Sequence, residues 1–160
     1  EKEANMFFSA GGELKWFSDS GKGKELTVKD FTGLDRIAGW GEQMYSFDAA
    51  FSPRGEDGEP LHLFDWRSGE IDSRVAEYWK KKDLSQVIRK LSGKKVRALS
   101  GKIHIYVSDQ DDFGLNRPVK LFQQILAKKG VEADIRFFPD TGHNVWTDEL
   151  RRIIREDMDR

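Results

Sequence analysis

The chain has 160 residues, of which 38% are hydrophobic, 34% charged and 12% aromatic; this is enough for one ordinary domain with a sizeable core, and too aromatic for a disordered one. Its 27 basic and 28 acidic residues leave a formal net charge of −1, which removes the electrostatic case for nucleic acid or an anionic membrane as a partner. Without cysteine there is neither a disulfide framework nor a thiolate site, and the compartment stays open. No apolar run is long enough to span a bilayer, and residues 1–5 lack the features of a signal peptide. A start without methionine that runs straight into Met6-Phe7-Phe8 reads as the interior of a longer protein. The expected partner is a small molecule or another protein.

Residues 11–58 are rich in glycine and charge, and no hydrophobic period dominates them. Residues 52–60 are punctuated by proline and glycine and read as a turn-forming loop. Asp72 is placed to cap a helix in which Val75, Tyr78 and Trp79 share a face. A second helical stretch carries Leu84, Val87, Ile88 and Leu91, and residues 92–97 read as a basic connector. Residues 102–107 are short and rich in β-branched and aromatic side chains, which predicts a buried strand. After a polar loop at 108–116 comes a helix with Asn116 near its cap and Pro118 in its first turn. Val119, Phe122, Leu126 and Lys129 define its face, and Gly130 ends it. Residues 133–138 form a second predicted strand, broken by Pro139-Asp140-Thr141-Gly142. Thr147 then caps a last helix whose apolar stripe is Leu150, Ile153, Ile154 and Met158.

Strand, loop, helix, strand, loop, helix is the pattern of a parallel α/β sheet, and its crossovers bring the loops after both strands to one edge, where ligands bind. Two strands alone do not make a parallel sheet covered on both faces. The remaining strands are therefore expected from the first half of the chain or, in the favoured reading, from another polypeptide. The loop after the first strand offers Asp109, Asp111 and Asp112. The loop after the second offers His143 between Gly142 and Asn144. A carboxylate in one such loop can hold an imidazole in the next by accepting its Nδ1–H.

Two runs, residues 99–113 (Leu-Ser-Gly-Lys-Ile-His-Ile-Tyr-Val-Ser-Asp-Gln-Asp-Asp-Phe) and 138–143 (Phe-Pro-Asp-Thr-Gly-His), resemble the acid and histidine segments of an esterase family of the α/β-hydrolases. That family includes enterochelin esterases, feruloyl esterases, S-formylglutathione hydrolases and mycolyl transferases. Residues 46–58 and Leu63-Phe64-Asp65 are similar to an insert of some bacterial members, and the resemblance runs from about Gly39 to the C-terminus. It implies that residues 99–160 are a C-terminal α/β-hydrolase segment, with parallel strands and flanking helices, and that residues 1–98 are an irregular, partly helical excursion or lid-like region. It also implies that Asp111 is the acid and His143 the general base of a catalytic triad, in the serine, acid, histidine order of that fold. Asp109 is the rival that an Asx-turn would occupy instead, and Asp112 the rival that would face water.

The chain departs from the family in its nucleophile. No serine stands in a Gly-x-Ser-x-Gly elbow; Ser20 is the nearest imitation, but Lys22 replaces the second small residue and no buried strand precedes it. The serine of a complete enzyme is thus expected upstream of Glu1. The implied function is the acid-and-histidine portion of a serine esterase acting on a small-molecule ester and packing against an N-terminal hydrolase segment or another chain. The alternative is a non-catalytic binding or structural module derived from such a hydrolase. No cofactor is expected, and no metal site, because three histidines without close spacing and no cysteine do not form one. His104 is expected to pack within its strand and His62 to be structural. Trp40, Trp66, Tyr78 and Trp79 read either as a lid or substrate wall or, at helical spacing, as core.

Overall fold

The computed structural model describes residues 5–19, 24–38, 43–139 and 141–158; Ser20, Trp40 and Asp140 lie outside them. The described chain is mixed α/β, with seven helices and two two-stranded sheets. It divides into two compact units, Glu1–Ser18 with Lys24–Lys90, and Asp19–Gly23 with Leu91–Arg160. No described helix is long and apolar enough to cross a membrane.

The first unit holds β2 (Lys24–Thr27) and all but the last residue of its paired strand β1 (Trp16–Asp19), then α1 (Val28–Ala38), α2 (Gln43–Phe51), α3 (Ser73–Lys80) and α4 (Leu84–Lys90). A stretch in which the sequence shows no period thus contains regular elements, and local polar contacts explain them. Thr27 Oγ1 accepts the Asp30 amide at 3.0 Å while its hydroxyl donates to Asp30 Oδ2 at 2.6 Å, which satisfies an orphan donor at the start of α1. The buried Asp35 carboxylate accepts the Gln43 and Met44 amides, each at 3.0 Å, and so anchors α2. Asp72 caps α3 as its position predicts, accepting the Arg74 and Val75 amides. The core is Phe7, Val28, Met44 and Phe64, with Phe17, Phe31 and Trp66 packed around it.

The second unit holds α5 (Lys94–Leu99), β3 (Ile103–Ser108), α6 (Asn116–Lys128), β4 (Ala133–Phe138) and α7 (Asp148–Met158). The expected connector at 92–97 is corrected to the start of a short helix: Gly93, at φ +56°, turns the chain, and the Arg97 amide then donates to the Gly93 carbonyl. β3 and β4 pair in parallel from Ile103 opposite Ala133 to Ser108 opposite Phe138, so both strands end at the same level. Helix α6 packs on both strands, burying Ile125 and Leu126. Leu150 and Ile153 of α7 pack on Phe138, beside Tyr106, Val145 and Ile154. Met158, expected on that stripe, is exposed. Asn116 is the first residue of α6 and does not cap it; its side-chain amide donates to the Asp109 carbonyl.

Tyr106, on β3, donates its hydroxyl to Asp157 Oδ2 of α7 at 2.6 Å. Burial, followed by that hydrogen bond, raises its pKa from the usual 10.0 to about 12. The unfolded phenol therefore loses its proton first, and the contribution of Tyr106 is fully present below pH 10.0 and lost as pH rises toward about 12. Urea unfolding across that window is expected to show a steeper loss of stability for the wild type than for Tyr106→Phe.

Candidate functional site

The site forms where β3 and β4 end. Ser108 closes β3 fully buried, its Oγ accepting the Gln110 amide at 3.1 Å. The Asp109 amide donates to the Phe138 carbonyl at 2.9 Å, which extends the strand pairing by one bond and ties the acid loop to the end of β4. A turn closed by the Gly114 amide on the Asp111 carbonyl then directs the Asp111 side chain inward. Asp111 Oδ1 accepts the Phe113 and Leu115 amides, each at 3.0 Å. Its other oxygen, Oδ2, lies 2.8 Å from His143 Nδ1.

The Asp111 side chain is 2% exposed and that of His143 50%. A carboxylate only accepts, so the proton between them is carried by His143 Nδ1, and the Nε2 lone pair is left for other chemistry. The ring is steadied by Phe113, packed against it edge to face with centroids 4.6 Å apart and planes at 86°. The backbone of the histidine loop is held separately, by the His143 amide donating to Asp112 Oδ2 at 2.9 Å. The three acids left as rivals by the sequence thus have three placements. Asp111 takes the ring and Asp112 takes the loop. Asp109 contributes its backbone at the strand end, while its Oδ1 is buried without a hydrogen-bond partner.

Gly142 is required beside this pair. Its φ is +59°, and a Cβ there would stand 2.9 Å from Asp112 Oδ2. Gly142→Ala is expected to cost about 1–2 kcal/mol from the left-handed backbone and to push Asp112 off the His143 amide. Equilibrium unfolding checks the first effect. Line broadening of the His143 ring signals in NMR checks the second.

Among serines, Ser108 is three residues from Asp111 in sequence but fully buried with its Oγ engaged. It cannot meet an incoming carbonyl. Ser20 lies outside the described residues. The arrangement therefore provides an imidazole oriented by a buried carboxylate, and no hydroxyl among the described residues hydrogen-bonds to His143.

Two further histidines also meet carboxylates. His104 Nδ1 lies 3.4 Å from Asp157 Oδ2 and 3.9 Å from Asp134 Oδ2, and their ligand atoms converge within 4.8 Å. Arg136 donates to both Asp134 oxygens and Tyr106 donates to Asp157, so the carboxylate oxygens that converge here already serve an ion-pair network. His62 was expected to be structural; its Nδ1 lies 2.8 Å from Asp48 Oδ2, with side chains 47% and 3% exposed. No motif marks that pair, because the partners are 14 residues apart and join a helix to a loop. Of the aromatic residues, Trp66 packs against the first unit's core, and Trp79 lies against Phe51 and donates its indole N–H to Ser52 Oγ. The chain matches no protein-family model, and comparison with curated proteins gives no significant match.

Proposed function

We propose that Asp111 and His143 are the acid and general base of a serine esterase of the α/β-hydrolase type, and that the nucleophilic serine is supplied by polypeptide outside these 160 residues. The observation that carries this reading is the 2.8 Å contact between His143 Nδ1 and a buried carboxylate, made at the common end of two adjacent parallel strands. In the reaction, Nε2 of His143 takes the proton of the serine hydroxyl as its oxygen attacks the ester carbonyl. The imidazolium, stabilised by Asp111, then protonates the departing alcohol. Water deprotonated by the same nitrogen attacks the acyl-enzyme, releasing the carboxylic acid and regenerating the serine. The half-exposed ring allows this approach, and the two amides on Asp111 Oδ1 fix the carboxylate that aims it.

The absence of a Gly-x-Ser-x-Gly elbow from the sequence favours a second reading, in which the chain is a non-catalytic module with a hydrolase-like histidine and acid. A fluorophosphonate label and p-nitrophenyl acetate separate the two. The proposal expects the full-length protein to be labelled at a serine outside this stretch and to hydrolyse the ester, and its His143→Ala variant to lose hydrolysis by on the order of 10⁴-fold or more. Unlabelled, inactive full-length protein would establish the non-catalytic reading.

A further inference from the structure

The first unit contains a second buried carboxylate fixed on a histidine, and that histidine, His62, borders a cleft of about 700 Å³, within the size range of small-molecule sites. Asp48 is saturated on its inner side: Oδ1 accepts the Leu63 amide at 3.0 Å and faces the Ser52 hydroxyl at 3.4 Å, while Ser52 Oγ in turn accepts the Trp79 indole N–H at 2.7 Å. Its Oδ2 holds His62 Nδ1. The His62 ring is also packed on Trp66, centroids 4.1 Å apart, so its orientation is set from two directions. The Nδ1 proton is committed to Asp48, which leaves Nε2 as an acceptor on the cleft wall.

The same indole positions a cation. The Arg36 guanidinium lies 4.8 Å from the Trp66 ring centroid, and Arg36, Arg67 and Glu70 line the cleft with His62. Two other carboxylates on the wall are already used. Asp65 accepts the Arg67 and Ser68 amides, and Asp72 caps α3 and pairs with Arg74; both are held below the usual carboxylate range, Asp65 chiefly by the Ser68 amide and Asp72 chiefly by the Arg74 side chain. The remaining charged and imidazole side chains of the cleft are of two kinds. Arg36 and Arg67 offer donors in planar forks suited to a carboxylate, and His62 Nε2 and the Glu70 carboxylate offer acceptors suited to hydroxyl groups.

We propose that this cleft binds a small polyhydroxy carboxylate, with Arg36 and Arg67 on its carboxylate and His62 Nε2 and Glu70 accepting its hydroxyls. A ligand bearing only an anion would bring no hydroxyl to His62 Nε2 and Glu70, and a neutral polyol would lack the paired oxygens that match a guanidinium fork. Asp48 and Trp66 act as positioning residues that hold His62 and Arg36 ready, which lowers the ordering cost of binding. The site uses none of the residues of the Asp111–His143 pair and stands or falls independently of the esterase reading.

The test is a titration of the protein with gluconate, hexanoate and glucose at constant ionic strength, followed by the His62 ring signals in ¹H–¹⁵N NMR and by Trp fluorescence. Gluconate is expected to shift the His62 signals saturably, and hexanoate and glucose to bind at least about tenfold more weakly. Arg36→Ala and Arg67→Ala, both changes of exposed side chains, are expected to weaken gluconate by about tenfold each without altering the unfolding midpoint. His62→Gln is expected to bring gluconate down to the affinity of hexanoate. Unmoved His62 signals with gluconate, equal affinity for gluconate and hexanoate, or a response reproduced by sodium chloride alone would each overturn the proposal. Should His62→Gln fail to fold, the ligand series and the two arginine variants decide it.

Discussion

Replacing Asp111 by alanine is expected to destabilise the second unit by about 3 kcal/mol, the range seen when one partner of a buried, charge-assisted network is removed. The reason is that three donors converge on this carboxylate: the Phe113 and Leu115 amides on Oδ1 and His143 Nδ1 on Oδ2. With the side chain 2% exposed, water does not replace it without the loop opening. Asp111→Asn makes the sharper experiment because it keeps the shape. Its amide oxygen takes over the two backbone N–H groups, which are fixed by the turn, and its NH₂ then faces His143 Nδ1. A donor opposite Nδ1 forces the imidazole proton onto Nε2, so stability falls by only about 1 kcal/mol while the tautomer inverts. Urea unfolding reads the first quantity and long-range ¹H–¹⁵N spectra of the histidine ring read the second. If the chain serves an esterase, the inverted tautomer removes the lone pair that activates the serine, and kcat is expected to fall on the order of 10⁴-fold, as the equivalent exchange does in serine proteases. Asp111→Asn with an unchanged tautomer would mean that Asp111 does not set the state of His143.

The second unit was largely legible in the sequence, and the physical reason is its periodicity. β3 is rich in β-branched and aromatic residues, although only Val107 and Ser108 of this strand, expected to be buried, are so. β4 mixes apolar residues with Asp134 and Arg136. Helices α6 and α7 carry core positions at helical spacing, so Leu126, Leu150 and Ile153 are buried where the pattern puts them. Parallel pairing then brings the ends of both strands to one level, which is why Asp111 and His143, 32 residues apart, could be named together. The choice of Asp111 over Asp109 and Asp112 came from the resemblance and not from the pattern of residues, because it depends on which carboxylate the 111–114 turn directs inward. In the first unit α3 and α4 also followed a helical period, but over residues 11–58 the signal was local rather than periodic. The Thr27-Val28-Lys29-Asp30 start of α1 has the spacing of a capping pair, a cue that the scattered apolar residues obscure. The Asp35 contacts to α2 and the Asp48–His62 pair join residues 8 to 14 positions apart in sequence, and no pattern of residue types encodes such contacts. The resemblance to hydrolases reached the acid and histidine loops but carried no information about these contacts.

Gly69 gives the largest expected effect in the first unit, and Gly58 provides its control. Both have left-handed backbones, φ +76° and φ +84°, so alanine at either position carries the same conformational penalty of about 1–2 kcal/mol. Their surroundings differ. At Gly58 an added Cβ meets nothing within 4 Å, whereas at Gly69 it stands 2.5 Å from Cδ2 of Phe7 and 2.6 Å from Asn5 Oδ1. Neither neighbour can yield cheaply. Phe7 is fully buried and packs edge-on against Phe64 with centroids 5.7 Å apart, and Asn5 Oδ1 accepts the Phe7 and Phe8 amides. The backbone cannot retreat either, since Gly69 donates to the Asp65 carbonyl and accepts the Met6 amide, each at 2.7 Å. Overpacking of this kind adds about 1–3 kcal/mol, so Gly69→Ala is expected to lose about 3–4 kcal/mol where Gly58→Ala loses no more than about 2. Paired urea denaturation measures the difference, and equal losses at the two positions would show that Phe7 does not pack against Gly69. Because Arg67 and Trp66 precede Gly69 in the same turn, Gly69→Ala is also expected to shift the Trp66 emission, while Gly58→Ala leaves it in place.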